Sequence, residues 1–168
     1  MVEIAWGKAV SANFKSKVIS IAAGLGCDPS FLMAAMAFET GQTFSPSKVN
    51  RASGATGLIQ FMPSTATSLG TTVGALAALS AEDQLDWVAK YFQPQKGRLN
   101  SLSDVYMAIL WPAAVGKPEA KVLFASPSIQ YKQNAGLDVN KDGEVTKGEA
   151  AAKVQAMLSK GLGSDYRG

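Results

Sequence analysis

Apolar positions repeat at the spacing of an α-helix along most of the chain, which predicts a mainly α-helical protein. Gly24 and Gly26 mark the end of the first helix, since glycine terminates helices readily. The apolar face of this helix consists of Val10, Phe14, Val18, Ile21 and Leu25.

The second predicted helix has a well-defined start and an apolar body. Asp28 can accept hydrogen bonds from free N–H groups of the first turn, and Pro29 is tolerated at the first helical position. Residues 31–38 carry no charge, so Glu39 is the first charged residue of this helix. Gly41 is expected to end the helix just beyond it.

Glu39 is therefore expected at a helix C-terminus among apolar side chains, on the same helix face as Phe31 and Ala35. Burial penalises the charged form of a carboxyl group, and the negative end of the helix dipole does the same. Both effects raise the pKa of Glu39, which suits a general acid working near neutral pH. The alternative is a glutamate in the last turn that points to water.

Three further helices are predicted from their caps and apolar spacing. One begins at Pro63 and stops at Gly70, one begins at Ser80, and one covers residues 104–111 after a cap at Ser103.

The segments between these helices are less regular in sequence. Residues 45–55 are rich in Ser, Pro, Asn and Gly, which predicts an ordered loop with a small β-hairpin leading into residues 58–61. Residues 118–124 are predicted to form one more helix.

The residue types present restrict the chemistry. The chain of 168 residues contains no histidine and a single cysteine, Cys27. This excludes an intrachain disulfide, a His-dependent catalytic pair and a zinc site built from His and Cys. The net charge is +3 and the charges are scattered, so we expect no nucleic-acid partner. The apolar runs are too short to span a membrane, so we expect no membrane insertion.

Residues 138–149 match the twelve-residue calcium loop of an EF-hand at each diagnostic position. Gly143 stands at the sharp turn, and Val145 stands at the apolar position of the short β contact. The expected Ca²⁺ ligands are Asp138, Asn140, Asp142, Glu144 (through its backbone carbonyl), Thr146 and Glu149. Because the preceding segment is short, we expect a single unpaired hand with a structural role, the alternative being a degenerate loop that holds water or sodium.

A longer pattern follows the second helix. Glu39-Thr40 is followed at residues 54–66 by Gly-Ala-x-Gly-Leu-Ile-Gln-x-Met-Pro-x-Thr-Ala. This pattern resembles the signature of the soluble lytic transglycosylases, a branch of the lysozyme-like superfamily near goose-type lysozyme, and it is most similar to the forms carried by bacteriophages. Residues 84–92 also resemble a helix of that family, and residues 104–114 match it more loosely.

The resemblance implies a lysozyme-like α+β fold, in which a helical bundle surrounds a glycan cleft and carries a small β-hairpin. It implies peptidoglycan as the substrate and Glu39 as the acid, and then the base, that cleaves the bond between N-acetylmuramic acid and N-acetylglucosamine. Gln60 would hydrogen-bond the substrate near the cleaved bond.

The resemblance has one clear departure. Many members carry a Tyr-Asn pair where residues 108–112 of this chain contain no Asn, so Tyr106 or Trp111 is expected to stack on sugar instead. The matched segments add Thr40, Phe61 and Tyr91 to the expected substrate-binding residues.

The shortage of acids after Glu39 favours a one-acid reaction. Common glycosidases use two carboxylates, but the next acid in the chain is Glu82. In the one-acid route the C6 hydroxyl of muramic acid attacks its own anomeric carbon and leaves a 1,6-anhydro end. Two alternatives stay open: a hydrolysing lysozyme in which Asp83 or Asp86 activates water, and a non-catalytic module that binds cell wall or calcium.

We expect a monomer with a catalytic domain over residues 1–127 and a calcium-binding segment over residues 128–168 packed on it. No secretory signal is visible in the first residues. Together with the phage-like pattern, this suggests an endolysin or a wall-piercing virion component. Such a protein is made in the cytoplasm and reaches the cell wall after membrane permeabilisation or with the virion.

Overall fold

The computed structural model describes residues 2–168, and it confirms the predicted fold class: the described residues are mainly helical, with one small antiparallel sheet. The helices are α1 (Ala12–Leu25), α2 (Pro29–Glu39), α3 (Pro63–Leu69), α4 (Val73–Ala77), α5 (Ala81–Phe92), α6 (Leu102–Leu110), α7 (Ile129–Asn134) and α8 (Lys147–Gly161). The strands are β1 (Val122–Ala125) and β2 (Glu144–Thr146).

The end of α1 and both ends of α2 follow the local sequence, whereas Val10, expected on the apolar face of α1, lies before the first residue of that helix. The Ser11 hydroxyl accepts a hydrogen bond from the N–H of Phe14 at the start of α1, and Gly26 adopts a left-handed φ of 76° just past its end. The Asp28 carboxylate accepts from the N–H of Ser30 at the start of α2, with Pro29 in the first turn. These caps satisfy backbone groups that have no partner within the helix.

Helix α2 forms the centre of the molecule because α1, α6 and α8 all pack against it. Its residues from Leu32 to Ala37 are at most 2% exposed. A helix that is surrounded by other helices must be uncharged on every face, as the sequence of α2 is up to Glu39. The end of α2 then reaches the surface of the molecule, where Glu39 is half-buried.

The predicted helix over residues 118–124 is wrong, because residues 122–125 form β1. This strand pairs antiparallel with β2, with Phe124 opposite Val145. Both of these side chains are buried, at 3% and 0% exposed. The apolar residues of this segment therefore pack in a sheet with a distant part of the chain. This pairing, and not the local sequence, decides that the segment is a strand.

Smaller differences concern helix ends and loops. Helix α6 begins two residues earlier than predicted, because the hydroxyl of Ser101, not that of Ser103, accepts from the N–H of Asp104. The predicted β-hairpin of residues 45–61 is reduced to two isolated bridges, from Thr56 to Val49 and to Phe61.

The C-terminal segment shares the core and the sheet of the rest of the molecule. Trp6 is buried against α8 and donates its indole N–H to the carbonyl of Met157 at 2.9 Å. The boundary expected between residues 127 and 128 falls between β1 and β2, the two strands of one sheet.

Among residues 2–168, no single helix is both long enough and apolar enough to cross a membrane; α1 and α2 reach that length only as a pair bent by 119°.

Candidate active site

A cavity of about 340 Å³ opens where the end of α2 meets the loop of residues 45–61 and one face of α6. Its lining residues are Phe38, Glu39, Asn50, Ala55, Gln60, Met62, Tyr106, Ile109 and Leu110. A narrower cavity of about 40 Å³ shares Gln60, Met62 and Ile109 with it and extends towards Tyr91. The two cavities therefore neighbour each other along one groove.

Glu39 is the acid of this cavity. Burial raises the pKa of its carboxyl group from 4.5 to about 7. The ion pairs formed by the described residues do not include Glu39, so no positive charge lowers its pKa again. At neutral pH a large share of the Glu39 carboxyl groups is protonated, and such a group can donate its proton to a bound molecule.

Gln60 is held rigidly at the edge of the cavity. Its backbone adopts a left-handed φ of 53°. Its amide nitrogen donates to the carbonyls of Lys48 and Gly57, each at 3.0 Å. These two bonds use both amide hydrogens, so the amide oxygen is left to accept a hydrogen bond from a ligand.

The loop that carries Gln60 is anchored from below by Gln84, a buried residue that the sequence analysis assigned no role. Its amide oxygen accepts from the N–H of Leu58 at 2.8 Å, and its amide nitrogen donates to the carbonyls of Pro46 and Leu76. Gly57 lies against this amide with a φ of 84°, and a Cβ at that position would stand 2.3 Å from the Gln84 oxygen. The glycine of the motif is therefore required by both its backbone conformation and its contact.

Two tyrosines lie close enough to Glu39 for its charge to act on them. Burial, with a contribution from the Glu39 charge, raises the pKa of the Tyr106 hydroxyl and of the Tyr91 hydroxyl. Tyr106 lines the cavity and packs edge-on against Phe38, with 5.7 Å between the ring centroids. Tyr91 lines the narrower cavity and donates its hydroxyl to the carbonyl of Ala108. Both hydroxyls stay protonated at neutral pH.

Three of the expected substrate-binding residues have other surroundings. Thr40 is fully buried and donates its hydroxyl to the carbonyl of Met36, so it stabilises the end of α2. Phe61 lines the narrower cavity beside Tyr91, although it is 2% exposed and packs edge-on against the Tyr91 ring. Trp111 lines neither cavity; it is 39% exposed and packs edge-on against Phe124. The structure thus brings Gln60, Tyr106, Tyr91 and Phe61 to the groove, whereas Thr40 and Trp111 make structural contacts elsewhere.

The structure also brings residues to the cavity that sequence reasoning missed. Asn50 contributes a polar side chain, while Met62, Ile109 and Leu110 contribute apolar walls. The helical spacing of Tyr106, Ile109 and Leu110 was a usable signal for the α6 wall, because residues three and four apart share a helix face. Nothing in the sequence distinguished Asn50 from the other polar residues of its loop.

The acids considered as partners of Glu39 lie elsewhere. Asp86 forms an ion pair with Lys17 at 3.0 Å, and Glu82 accepts a hydrogen bond from the Ser11 hydroxyl. Asp83 is exposed in the first turn of α5. Among residues 2–168, Glu39 is the only carboxylic acid that lines the cavity.

A separate cavity, of about 400 Å³, lies between α6 and α8 beside Glu119 and shares no lining residue with the Glu39 cavity. We place the candidate active site at Glu39, because there a carboxyl group with a raised pKa faces open space.

The loop of residues 138–149 brings three carboxylate side chains together. Carboxylate oxygens of Asp138, Asp142 and Glu149 lie within 4.8 Å of one another. Glu149 closes the loop, since its carboxylate accepts from the N–H groups of Val139 and Thr146. Clustered carboxylate oxygens are the ligands that Ca²⁺ prefers, so the donor set fits this ion.

The helical fold and a cavity built around one protonatable acid define a lysozyme-like class of protein. Residues 17–109 match the model of a known family, described as the transglycosylase SLT domain, and this match covers more than half of the chain. The chain therefore belongs to the transglycosylase SLT domain family. At the level of the family, these are glycosidase-type enzymes of the lytic transglycosylase kind that act on peptidoglycan. The chain has no match among the curated proteins.

Proposed function

We propose that this protein is a lytic transglycosylase that cleaves the β-1,4 bond between N-acetylmuramic acid and N-acetylglucosamine in peptidoglycan, with Glu39 as its single catalytic acid. One observation carries the proposal: among the described residues, Glu39 is the only acid of the cavity, and burial raises its pKa to about 7. The family supplies the substrate class, since its members act on peptidoglycan.

The proposed reaction uses Glu39 twice and consumes no water. Protonated Glu39 gives its proton to the bridging oxygen as the bond from that oxygen to the anomeric carbon breaks. The resulting carboxylate takes the proton of the C6 hydroxyl, and the C6 oxygen forms the new bond to the same anomeric carbon. The products are a 1,6-anhydro end and a free hydroxyl on the leaving sugar, and Glu39 is protonated again.

The other polar groups of the cavity suit the handling of a sugar. The Gln60 amide oxygen is a fixed acceptor, because both amide hydrogens are already engaged by backbone carbonyls. Tyr106 offers a protonated hydroxyl on the wall formed by α6. We assign these two residues to substrate binding, with Tyr91 further along the groove. Such preorganised groups stabilise charge that develops in a transition state.

The single acid favours this route over hydrolysis. A two-carboxylate glycosidase requires a second acid near the cleaved bond, either as a nucleophile or as a base for water. Asp86 is paired with Lys17, and Asp83 lies in the first turn of α5 outside the cavity. A hydrolysing lysozyme is therefore the less favoured function.

The biological setting is part of the proposal. The phage-like pattern of residues 53–60 supports an endolysin or a wall-piercing virion component. We propose that this protein is a monomer that is made in the cytoplasm and acts on cell-wall glycan strands.

The test is the end group of the digestion product together with one substitution. Mass analysis of digested peptidoglycan is expected to show anhydro ends, lighter by one water than reducing ends. Glu39→Gln is expected to lower the rate about a thousandfold, because the variant lacks the transferable proton. The matched control Glu82→Gln, outside the cavity, is expected to keep full activity. Reducing ends from the wild type, or an active Glu39→Gln variant, would refute the proposal.

We further propose that residues 138–149 bind one Ca²⁺ for a structural purpose. The side chains of Asp138, Asn140 and Asp142, the carbonyl of Glu144 and both oxygens of Glu149 would hold it. Thr146 caps α8 by accepting from the N–H of Glu149, so it would act through water.

A strand contact supports the structural purpose. β2, which lies within the loop, pairs with β1 of the same chain, so β1 takes the place that a second hand occupies in paired EF-hands. Titration calorimetry with Ca²⁺ tests the site directly. Glu149→Gln is expected to abolish the heat of binding and the calcium-dependent rise in melting temperature. A full response of this variant to Ca²⁺ would refute the site.

A further inference from the structure

Asn50 is the one polar side chain of the Glu39 cavity for which neither the motif nor the proposed reaction supplies a role. It lies in the loop of residues 45–61, next to the bridge between Val49 and Thr56. Its side chain is exposed to the cavity and to solvent.

The position of Asn50 is fixed by its own hydrogen bonds. Its N–H donates to the carbonyl of Ala55 at 2.9 Å, and its carbonyl accepts from the N–H of Gly54 at 2.7 Å. Its side-chain oxygen accepts from the N–H of Ala52 at 3.0 Å. Because only the side-chain oxygen can accept from this N–H, the oxygen and the nitrogen of the Asn50 amide cannot be exchanged. Within residues 2–168 this nitrogen has no hydrogen-bond partner.

On the side of the cavity formed by residues 45–62, no other side chain offers such a donor, and the protonated hydroxyl of Tyr106 belongs to the α6 side. Gln60 offers an acceptor there, and its own amide hydrogens are used by Lys48 and Gly57. Met62, Ile109 and Leu110 offer no polar atom on the wall side. An N-acetylated sugar presents carbonyl and ring-side oxygens that accept hydrogen bonds, and these require N–H or O–H donors on the protein.

We propose that Asn50 is a positioning residue of the glycan site, whose side-chain N–H₂ group donates to an oxygen of the sugar bound beside Glu39. This inference rests on the proposed function. An amide is also uncharged, whereas a carboxylate lining the same cavity would make ionisation of Glu39 less favourable. Asn50 thus supplies a donor without adding a second acid to the cavity.

Two substitutions separate the parts of this role. Asn50→Asp keeps an oxygen that accepts from the N–H of Ala52, so the turn is preserved, but it removes the donor and adds a negative charge. Asn50→Ala removes the donor and the turn bond together. The matched control is Ser53→Ala in the same loop, because the Ser53 hydroxyl accepts from the N–H of Ala55 at 3.2 Å and does not line the cavity.

The measurements are KM and kcat on soluble glycan fragments, the pH–rate profile and the melting temperature of each variant. Loss of one hydrogen bond to substrate is expected to raise KM about tenfold in both Asn50 variants. Asn50→Asp is also expected to move the loss of activity at high pH to a higher pH, whereas Asn50→Ala is not. Ser53→Ala is expected to keep the wild-type KM and pH–rate profile.

Each result bears on the inference or on the proposed function. Wild-type KM and an unshifted pH–rate profile in both Asn50 variants would overturn the positioning role. An equal rise of KM in Ser53→Ala would do so too, because loop stability would then explain the effect. Reducing ends in every sample would overturn the proposed anhydro chemistry, while KM and the pH–rate profile would still decide whether Asn50 contacts the glycan.

Discussion

The ammonium group of Lys147 lies 2.5 Å from the carboxylate of Asp104, and these side chains are 2% and 8% exposed. Lys147 is the tenth residue of the proposed calcium loop, whereas Asp104 lies in the first turn of α6, the helix that carries Tyr106. Burial alone would raise the pKa of Asp104, but the hydrogen bonds from Lys147 and Gly116 hold it below its usual value. One buried ion pair therefore connects the loop of residues 138–149 to α6, which forms a wall of the Glu39 cavity.

Breaking this pair from one side is expected to be costly. Lys147→Met leaves the Asp104 carboxylate buried without its cation, which typically costs about 3–5 kcal/mol of unfolding free energy. The double variant Asp104→Leu with Lys147→Met removes both charges and is expected to recover part of that loss. Urea denaturation at neutral pH measures the free energy of unfolding of the single and the double variant. The control is Asp86→Ala, since the Lys17–Asp86 pair is more exposed, at 34% and 69%, and should contribute below about 1 kcal/mol.

The pH dependence of activity should report the Glu39 proton. The pKa of Glu39 is about 7, so kcat/KM is expected to fall about tenfold for each pH unit well above 7, as the acid loses its proton. A one-acid reaction predicts no second loss of activity near pH 4 from an ionised catalytic partner. The profile should be measured at saturating Ca²⁺, so that protonation of the loop carboxylates does not interfere. A bell-shaped profile under these conditions would indicate a second catalytic acid.

The same raised pKa predicts how stability changes with pH. Well below pH 4.5 Glu39 is protonated in both the folded and the unfolded chain, so it does not lower the free energy of unfolding. Between pH 4.5 and about 7 the unfolded chain releases this proton while the folded chain keeps it, so stability falls as pH rises. Glu39→Gln has no titrating group at this position, so its free energy of unfolding does not fall in this way. Relative to the wild type, it should rise by about 2–3 kcal/mol between pH 4 and pH 8.

Urea denaturation at the two pH values checks this expectation. Glu82→Gln provides the opposite control, because the hydrogen bond from Ser11 lowers the pKa of Glu82. In that case the wild type gains stability as pH rises, and the variant does not. An equal stability difference between Glu39→Gln and the wild type at both pH values would contradict the burial of Glu39.

Gly57 should tolerate no side chain. Gly57→Ala would place a methyl group 2.3 Å from the Gln84 amide oxygen at a φ of 84°, so the loop that holds Gln60 must shift. The expected cost is about 2–4 kcal/mol of unfolding free energy, with a lowered kcat because Gln60 is displaced. Gly70→Ala is the matched control: it has a φ of 91° with nothing within 4 Å, and it should cost only about 1 kcal/mol. Thermal melting and glycan cleavage rates compare the two.

The sequence alone determined the features that depend on neighbouring residues. The end of α1, the start of α2, the position of Glu39 at a helix end and its raised pKa all follow from caps, helical spacing and apolar neighbours. The same holds for the Asp138, Asp142 and Glu149 carboxylates, which lie together in the structure, whereas the binding of Ca²⁺ by them stays a prediction. These features could be predicted because each involves groups a few residues apart.

Only the tertiary structure decided which distant residues meet. It placed Asn50 in the Glu39 cavity, turned residues 122–125 into a strand beside β2, and directed Trp111 towards Phe124. It also joined Lys147 to Asp104, which are 43 residues apart in the chain. The physical reason is that side chains far apart in sequence become neighbours only through packing of the whole core, and no local pattern records that packing.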